Sequence, residues 1–320
     1  MVLLVAVMIV VGGATRLTNS GLSITEWAPI SGALPPLSEA QWLSEFEKYK
    51  QIPEFEAEHA DMDLAGFRFI YFWEWAHRQL GRIIGLAYAV PFFLLLFRKR
   101  LPKGRALAFT AVLLLIGLQG AIGWWMVYSG LQEGMVAVSQ YRLATHLGMA
   151  FIILGLLVWL FLDSRTKERR LGRITWLPAS LVSLTWLQIF AGAFVAGTQS
   201  GKTYNTWPLM DGEIVPRGYL VQEPVWRNIF ENPAAIQFNH RTLAYLLVVL
   251  FLLAAWTYRK HAMLRWPLIV AGVLMGYQVL LGIWTLLSVA PLSLALKHQF
   301  TAVLLFIAVV WLAFRSRLLR

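Results

Sequence analysis

The sequence predicts an all-α polytopic membrane protein: eight transmembrane helices in two pseudosymmetric four-helix bundles, built as a parallel repeat, with both termini inside. Three observations predict this. Of 320 residues, 58% are hydrophobic and 14% are charged, and mean hydropathy is +0.60. A soluble domain of this length must cover its surface with polar groups and cannot carry that ratio. The basic residues lie in short runs between apolar stretches, the pattern that orients helices in a bilayer. Finally, a set of polar landmarks occurs twice in the same order, the mark of an internal repeat.

A hydrocarbon core about 30 Å thick requires roughly 20 apolar residues in a helix. Spans are read at about 1–15, 68–97, 106–128, 141–162, 174–197, 236–258, 266–288 and 294–314. The first is short; no charged segment precedes it and no cleavage site follows, so it is read as a span and not a signal peptide. Arg98, Lys99, Arg100, Lys103 and Arg105 follow span 2, and Arg165, Lys167, Arg169, Arg170 and Arg173 follow span 4. Arg259, Lys260 and Arg265 follow span 6, and Arg315, Arg317 and Arg320 close the chain. These segments belong on one side, the cytoplasm or matrix. The net charge of +11 is thereby absorbed, and without a basic face or binding motif it does not indicate nucleic acid. The outer loop 16–67 is acidic and too long for plain linker. Within it, Ser38 and Gln41 form a capping-box pattern. Trp42, Leu43, Phe46 and Tyr49 follow as an apolar stripe at helical spacing, which predicts a short surface helix, packed on the bundle or serving as a lid.

The repeat joins spans 1–4, in a unit 1–165, to spans 5–8, in a unit 166–320. Thr18-Asn19-Ser20-Gly21 precedes Trp27, and Thr198-Gln199-Ser200-Gly201 precedes Trp207. His77-Arg78 opens span 2 and His240-Arg241 opens span 6. Gln119-x-x-x-Gly123-Trp124 corresponds to Gln278-x-x-x-Gly282-x-Trp284, and His146 corresponds to His298. The halves lie an even number of spans apart, so their topology is parallel.

The four repeated histidines all fall in the first turns of even-numbered spans, which places them at similar depth near the outer face. Ionisable residues within a membrane are costly and mark function. There is no cysteine, so disulfides, thiolate ligands and Cys-x-x-Cys-His attachment of a haem are excluded. Zinc needs three or four ligands, and each half offers two histidines. Two imidazoles on facing helices suit axial ligation of a haem, with His77 paired to His146 and His240 to His298. Arg78, Arg241, Arg142 and Lys297 are placed to pair haem propionates or to snorkel. Gly117, Gly120, Gly123 and Gly282 admit either a flat macrocycle or a neighbouring helix. His59 and His261 read as solvated.

The halves differ three residues before the first histidine: Glu74 precedes His77, whereas Gln237 precedes His240. An i, i+3 pair shares a helix face. Glutamine cannot exchange a proton near neutral pH, whereas a buried carboxylate can serve acid–base chemistry; an ion pair with Arg78 is the structural alternative. The first half therefore reads as the reactive one and the second as a closed bis-histidine haem b site.

At these residues the chain resembles the haem A synthase family of mitochondria and many bacteria. The matching stretches are Gly12-Gly13-Ala14-Thr15-Arg16-Leu17-Thr18, Ser20-Gly21-Leu22-Ser23, Glu74-x-x-His77-Arg78 and Gln140-Tyr141-Arg142-Leu143-Ala144-x-His146. They continue through Tyr204-Asn205-x-x-Pro208-x-Met210, Asn228-x-Phe230-Glu231-Asn232-Pro233 before His240-Arg241, and His298-Gln299. The resemblance implies haem b held by His240 and His298, with haem O entering near Glu74, His77 and His146. It implies an oxidoreductase that converts the C8 methyl group of haem O to a formyl group by successive hydroxylations, for cytochrome oxidase biogenesis. Haem O synthase is the implied donor, the electron acceptor is left open, and a homo-oligomer in membrane lipid is allowed. The implied location is the bacterial plasma membrane or the mitochondrial inner membrane. Some bacterial members carry an outer-loop cysteine pair that this chain lacks. A di-haem b cytochrome that transfers electrons is the alternative, but it leaves the Glu74/Gln237 difference without purpose. A transporter would need ionisable residues or broken helices at the midplane.

Overall fold

Each apolar stretch becomes a helix. The computed structural model describes residues 1–102, 104–166 and 172–319; Lys103, Lys167, Arg169, Arg170 and Arg320, part of the predicted inner basic runs, lie outside them. In chain order the helices are α1 (Val2–Leu17), α2 (Glu39–Tyr49), α3 (Pro53–Glu58), α4 (Leu64–Phe97), α5 (Ala106–Gly130) and α6 (Gln140–Arg165). They continue with α7 (Trp176–Gly197), α8 (Asn228–Glu231), α9 (Pro233–Tyr258), α10 (Arg265–Leu287) and α11 (Leu292–Ser316). Among the described residues, seven helices are long and apolar enough to cross a membrane, α4 to α7 and α9 to α11, as a multi-pass membrane protein requires. Helix α1 has 16 residues, a length of about 24 Å at 1.5 Å per residue.

The chain divides into two compact units, Met1–Ala150 and Phe151–Arg320. The division falls inside α6, earlier than the inter-helix boundary expected at 165. Aromatic packing accounts for it. In the second unit the later part of α6 sits on α11, with Phe151 and Phe306 ring centroids 5.2 Å apart and Trp159 and Phe314 5.1 Å apart.

In the first unit, α4 packs on α1, α2 and α5. The predicted surface helix is α2. Ser38 caps it, accepting from Gln41 N at 3.3 Å, while the Gln41 side chain accepts from Ser38 N at 3.2 Å. Its stripe rests on the start of α4: Phe46 stacks on Phe67 at 4.9 Å and Trp42 meets Tyr71 edge-on at 5.0 Å. Tyr49 is fully buried in that cluster, whereas Leu43 is exposed. In the second unit, α7 packs on α9 and α11, and α10 on α11.

The Thr-x-Ser motif ends a helix in each unit, in the same way. Thr18 Oγ1 donates to Ala14 O at 2.8 Å, and Thr198 Oγ1 donates to Phe194 O at 2.7 Å. The next residues, Asn19 (φ 49°) and Gln199 (φ 54°), take the left-handed conformation that turns the chain out of a helix. Ser20 and Ser200, hydrogen-bonded to those threonines, are completely buried.

Candidate functional site

Each of the four repeated histidines leans on a glycine of a neighbouring helix. A Cβ on Gly12 would lie 2.7 Å from Cε1 of His77, and one on Gly123 would lie 2.9 Å from Cε1 of His146. In the second unit the corresponding distances are 3.2 Å from Gly192 to His240 and 3.0 Å from Gly282 to His298. Side-chain Cβ atoms do not approach so closely without displacement. Gly123 and Gly282 are thus seats for imidazoles. Gly117 and Gly120 meet nothing within 4 Å.

In the first unit, α4 and α6 bring His77 and His146 together with ring centroids 6.4 Å apart and planes inclined by 67°. That separation is of the order needed for a metal atom between two ligating imidazoles. Nδ1 of His77 and Nδ1 of His298 are buried without a hydrogen-bond partner. Among the described residues no group of three or more His, Asp or Glu could hold a metal. The donor set therefore fits a metal that arrives with its own equatorial ligands, as haem iron does, and not a tetrahedral zinc site.

Arg78 and Arg241 serve as clamps. Arg78 donates to Ile24 O and Glu26 O, each at 2.8 Å, and Arg241 donates to Tyr204 O and Thr206 O, each at 3.0 Å. The clamped segments are those that follow the two Thr-x-Ser turns. Arg142 donates to Trp125 O at 2.6 Å and lies over that indole. Lys297 is exposed.

Beneath each clamp the units differ. Glu74 is 3% exposed and all four of its lone-pair positions are used. Oε1 accepts from Arg78 Nη2 at 2.7 Å and Nε at 3.1 Å; Oε2 accepts from Ser23 Oγ and Ile24 N, each at 2.8 Å. Gln237, equally buried, donates to Ser200 O at 2.8 Å and accepts from Arg241 at 3.1 Å.

The first unit carries a further strap. Arg82 donates to Pro29 O at 2.9 Å and Ala28 O at 2.8 Å, and Gln79 donates to Ala33 O at 2.8 Å. Trp27 lies on Trp124 at 5.3 Å. The positions of α9 that correspond to Gln79 and Arg82, counted from the histidine, hold Thr242 and Tyr245, so those two contacts have no counterpart among the described residues of the second unit. Sequence reading missed Gln79 and Arg82; two polar residues one turn beyond His77 in an apolar helix were the available signal.

The outer loop holds a buried cluster as well. The Tyr49 hydroxyl lies 3.1 Å from Glu54 Oε2 and 2.6 Å from Nδ1 of His59. The hydroxyl donates to Glu54, which leaves Nδ1 of His59 to donate to the hydroxyl. Burial pushes the Glu54 carboxyl up to about 8, aided by the charges of Glu74 and Glu58 and opposed by its Tyr49 hydrogen bond and by Arg16. Burial raises Tyr49 and lowers His59. His59 is therefore a fixed, partly buried partner, which corrects its reading as solvated. His261 is exposed, as expected.

The family described as cytochrome oxidase assembly protein matches residues 1–310. The haem A synthase of Maricaulis maris is 50% identical over 318 residues, covering 98% of this chain and 93% of its own. That of Paracoccus denitrificans is 48% identical over 317 residues, covering 95% and 82%. That of Azorhizobium caulinodans is 50% identical over 313 residues, covering 95% and 88%.

Proposed function

Because the chain belongs to the cytochrome oxidase assembly family that includes the haem A synthases, we propose that it is itself a haem A synthase. The observation that carries this reading is the pair of imidazoles, His77 and His146, 6.4 Å apart on facing helices in the unit that also holds Glu74. The substrate is haem O, received from haem O synthase, and its C8 methyl group becomes a formyl group. Two successive hydroxylations at that carbon give a gem-diol, which loses water. Each hydroxylation is a two-electron oxidation of that carbon.

His77 and His146 position the substrate iron, and with it the methyl group. The segment clamped by Arg78 and the strap held by Arg82 exclude water from that unit. Glu74 is the proton-handling group at the N-terminal site. Its carboxylate is saturated by four donors, so a proton enters only as Ser23 or Arg78 moves away. His240 and His298 hold haem b, which supplies electron transfer when bound. Arg241 retains a buried, unpartnered Nε, a donor for a propionate; Arg78, Arg142 and Lys297 are the other candidates.

In this reading α1 is the eighth span, the two bundles are pseudosymmetric, and both termini face the cytoplasm or matrix. All four histidines then lie near the outer face of a bacterial plasma membrane or a mitochondrial inner membrane. A homo-oligomer is compatible with it. The relatives' common name does not favour the di-haem cytochrome.

Chromatography of haems extracted from cells that make haem O and express the chain tests the proposal. The native chain should yield haem A, and Glu74→Ala should lose it or stall at a hydroxylated product. Haem B alone, with unchanged haem O, from the native chain would overturn the synthase reading. Full haem A output from Glu74→Gln would remove the proton-handling role.

A further inference from the structure

Three of the four histidine seats share a second feature. Four residues before the seating glycine stands a glutamine: Gln119 before Gly123, Gln188 before Gly192 and Gln278 before Gly282. Each amide reaches the histidine that its glycine seats. Gln119 Nε2 lies 3.1 Å from His146 Nδ1 and donates to the His146 backbone carbonyl at 2.9 Å. Gln188 Nε2 lies 3.2 Å from both ring nitrogens of His240 and donates to its backbone carbonyl at 3.0 Å. Gln278 Nε2 lies 3.3 Å from Nε2 of His298. In all three the amide oxygen is buried and has no hydrogen-bond partner.

An imidazole bound to a metal through one nitrogen carries a proton on the other. That N–H needs an acceptor, which fixes the tautomer and the ring and strengthens the ligand. An unpartnered amide oxygen beside each ring supplies the acceptor once the amide turns. The fourth seat breaks the pattern. Four residues before Gly12 stands Met8, a flexible thioether with weak accepting power. Nδ1 is buried with no partner at His77 and at His298 alike, but Gln278 reaches the other nitrogen of His298, and no such amide stands four residues before the glycine that seats His77.

We propose that glutamine at this position is the positioning residue of a permanent iron ligand, and that His77, seated by Gly12 with Met8 in the place of the glutamine, is the exchangeable ligand. This rests on the reading that the four histidines ligate haem iron. It divides the ligands in the way that reading needs. His240 and His298, with a glutamine each, retain a cofactor. His146 keeps hold of the substrate while His77 lets go, so that haem O enters and haem A leaves on the Met8 side.

The test uses the purified full-length chain with its haems bound, reduced, with carbon monoxide as the probe of a vacated iron position. The native protein should show one population that binds carbon monoxide and one that does not. Met8→Gln should slow carbon monoxide binding, and slow haem transfer to an apomyoglobin acceptor, by about tenfold to a hundredfold, the range seen for partners of metal-bound histidines. Met8→Leu, which changes packing but adds no acceptor, should leave both rates near native. Gln188→Met should make the second population reactive, and Gln188→Glu, which restores an acceptor, should reverse this. Native rates in a haem-loaded Met8→Gln protein, or an unreactive second haem in Gln188→Met, would overturn the inference. A chain that purifies without haem in either unit would overturn the ligation reading, and the inference with it.

Discussion

Arg78 and Arg241 perform one task with different partners. Each crosses from the helix that carries a histidine to two backbone carbonyls of the segment before it, four and six residues after the buried serine of the turn. Under Arg241 lies a neutral amide that shares its two hydrogen bonds between Ser200 O and the guanidinium. Under Arg78 lies a carboxylate that binds the guanidinium twice and the segment twice. A single exchange of amide for carboxylate therefore converts a clamp in which a cation rests on a neutral amide into one held by a buried ion pair. Such pairs cost much desolvation and are costly to break. The first unit adds the Arg82 strap and omits one seating glutamine. The second does neither. The lesson is that a handful of polar positions distinguishes two similar local frames.

The comparison is broken most completely at the proposed haem ligands. His240→Ala or His298→Ala should remove one haem equivalent and spare the other, and His146→Ala should do the converse, read as haem-to-protein ratio and spectrum in detergent. Loss of both haems from any one substitution would deny that the units bind independently. Next in size is the clamp. Glu74→Ala strands part of a buried pair and should cost about 3–5 kcal/mol, against about 1–3 kcal/mol for Gln237→Ala, where two hydrogen bonds but no ion pair are lost. Thermal unfolding of the two variants side by side decides it, and equal losses would mean that the carboxylate adds nothing as an anchor.

Smaller still are the seats. Gly12→Ala meets His77 at 2.7 Å, and Gly192→Ala meets His240 at 3.2 Å. Overpacking of this kind costs about 1–3 kcal/mol, and the larger cost should fall on Gly12. Haem retention after detergent exchange ranks the two.

The smallest effect concerns the outer loop. Glu54 has a folded-state value of about 8, above its ordinary carboxyl range. The folded loop thus holds a proton that the opened loop releases, and between about pH 4.5 and 8 its stability falls as pH rises. His59, lowered by burial, works in the opposite sense near its ordinary value and blunts the slope. Hydrogen exchange of residues 46–60, corrected for intrinsic rates, should quicken toward pH 8 in the native chain and lose most of that dependence in Glu54→Gln. A native loop with flat, pH-independent protection would show that Glu54 is charged when folded.

Helix positions were legible in the sequence because the bilayer imposes length and apolarity. The Ser38 capping box was legible for an equally local reason. The repeated Thr-x-Ser turns and the four histidines stood out because they are polar residues at paired places. Other features are set by contacts distant in sequence and were not. Gln188 was overlooked because its counterpart is Met8, so the repeat itself concealed it. Gly12 and Gly192 carry no polar signal of their own, and their part shows only in the imidazoles that rest against them. Tyr49 read as one more apolar rung, and its hydroxyl revealed a role only when Glu54 and His59 folded around it. The boundary within α6 depends on Phe306 and Phe314, more than a hundred residues away.

The carbonyls gripped by Arg78 and Arg82 belong to residues 24–29, and those gripped by Arg241 to residues 204 and 206. In both units the acceptors are synthesised before the cations. A guanidinium entering the hydrocarbon region costs about 2.5–3.5 kcal/mol at the helix centre. During translation each arginine emerges after the segment that will receive it has already left the ribosome, so its host helix need never be inserted with a naked charge. The order of residues along the chain thus doubles as an assembly schedule.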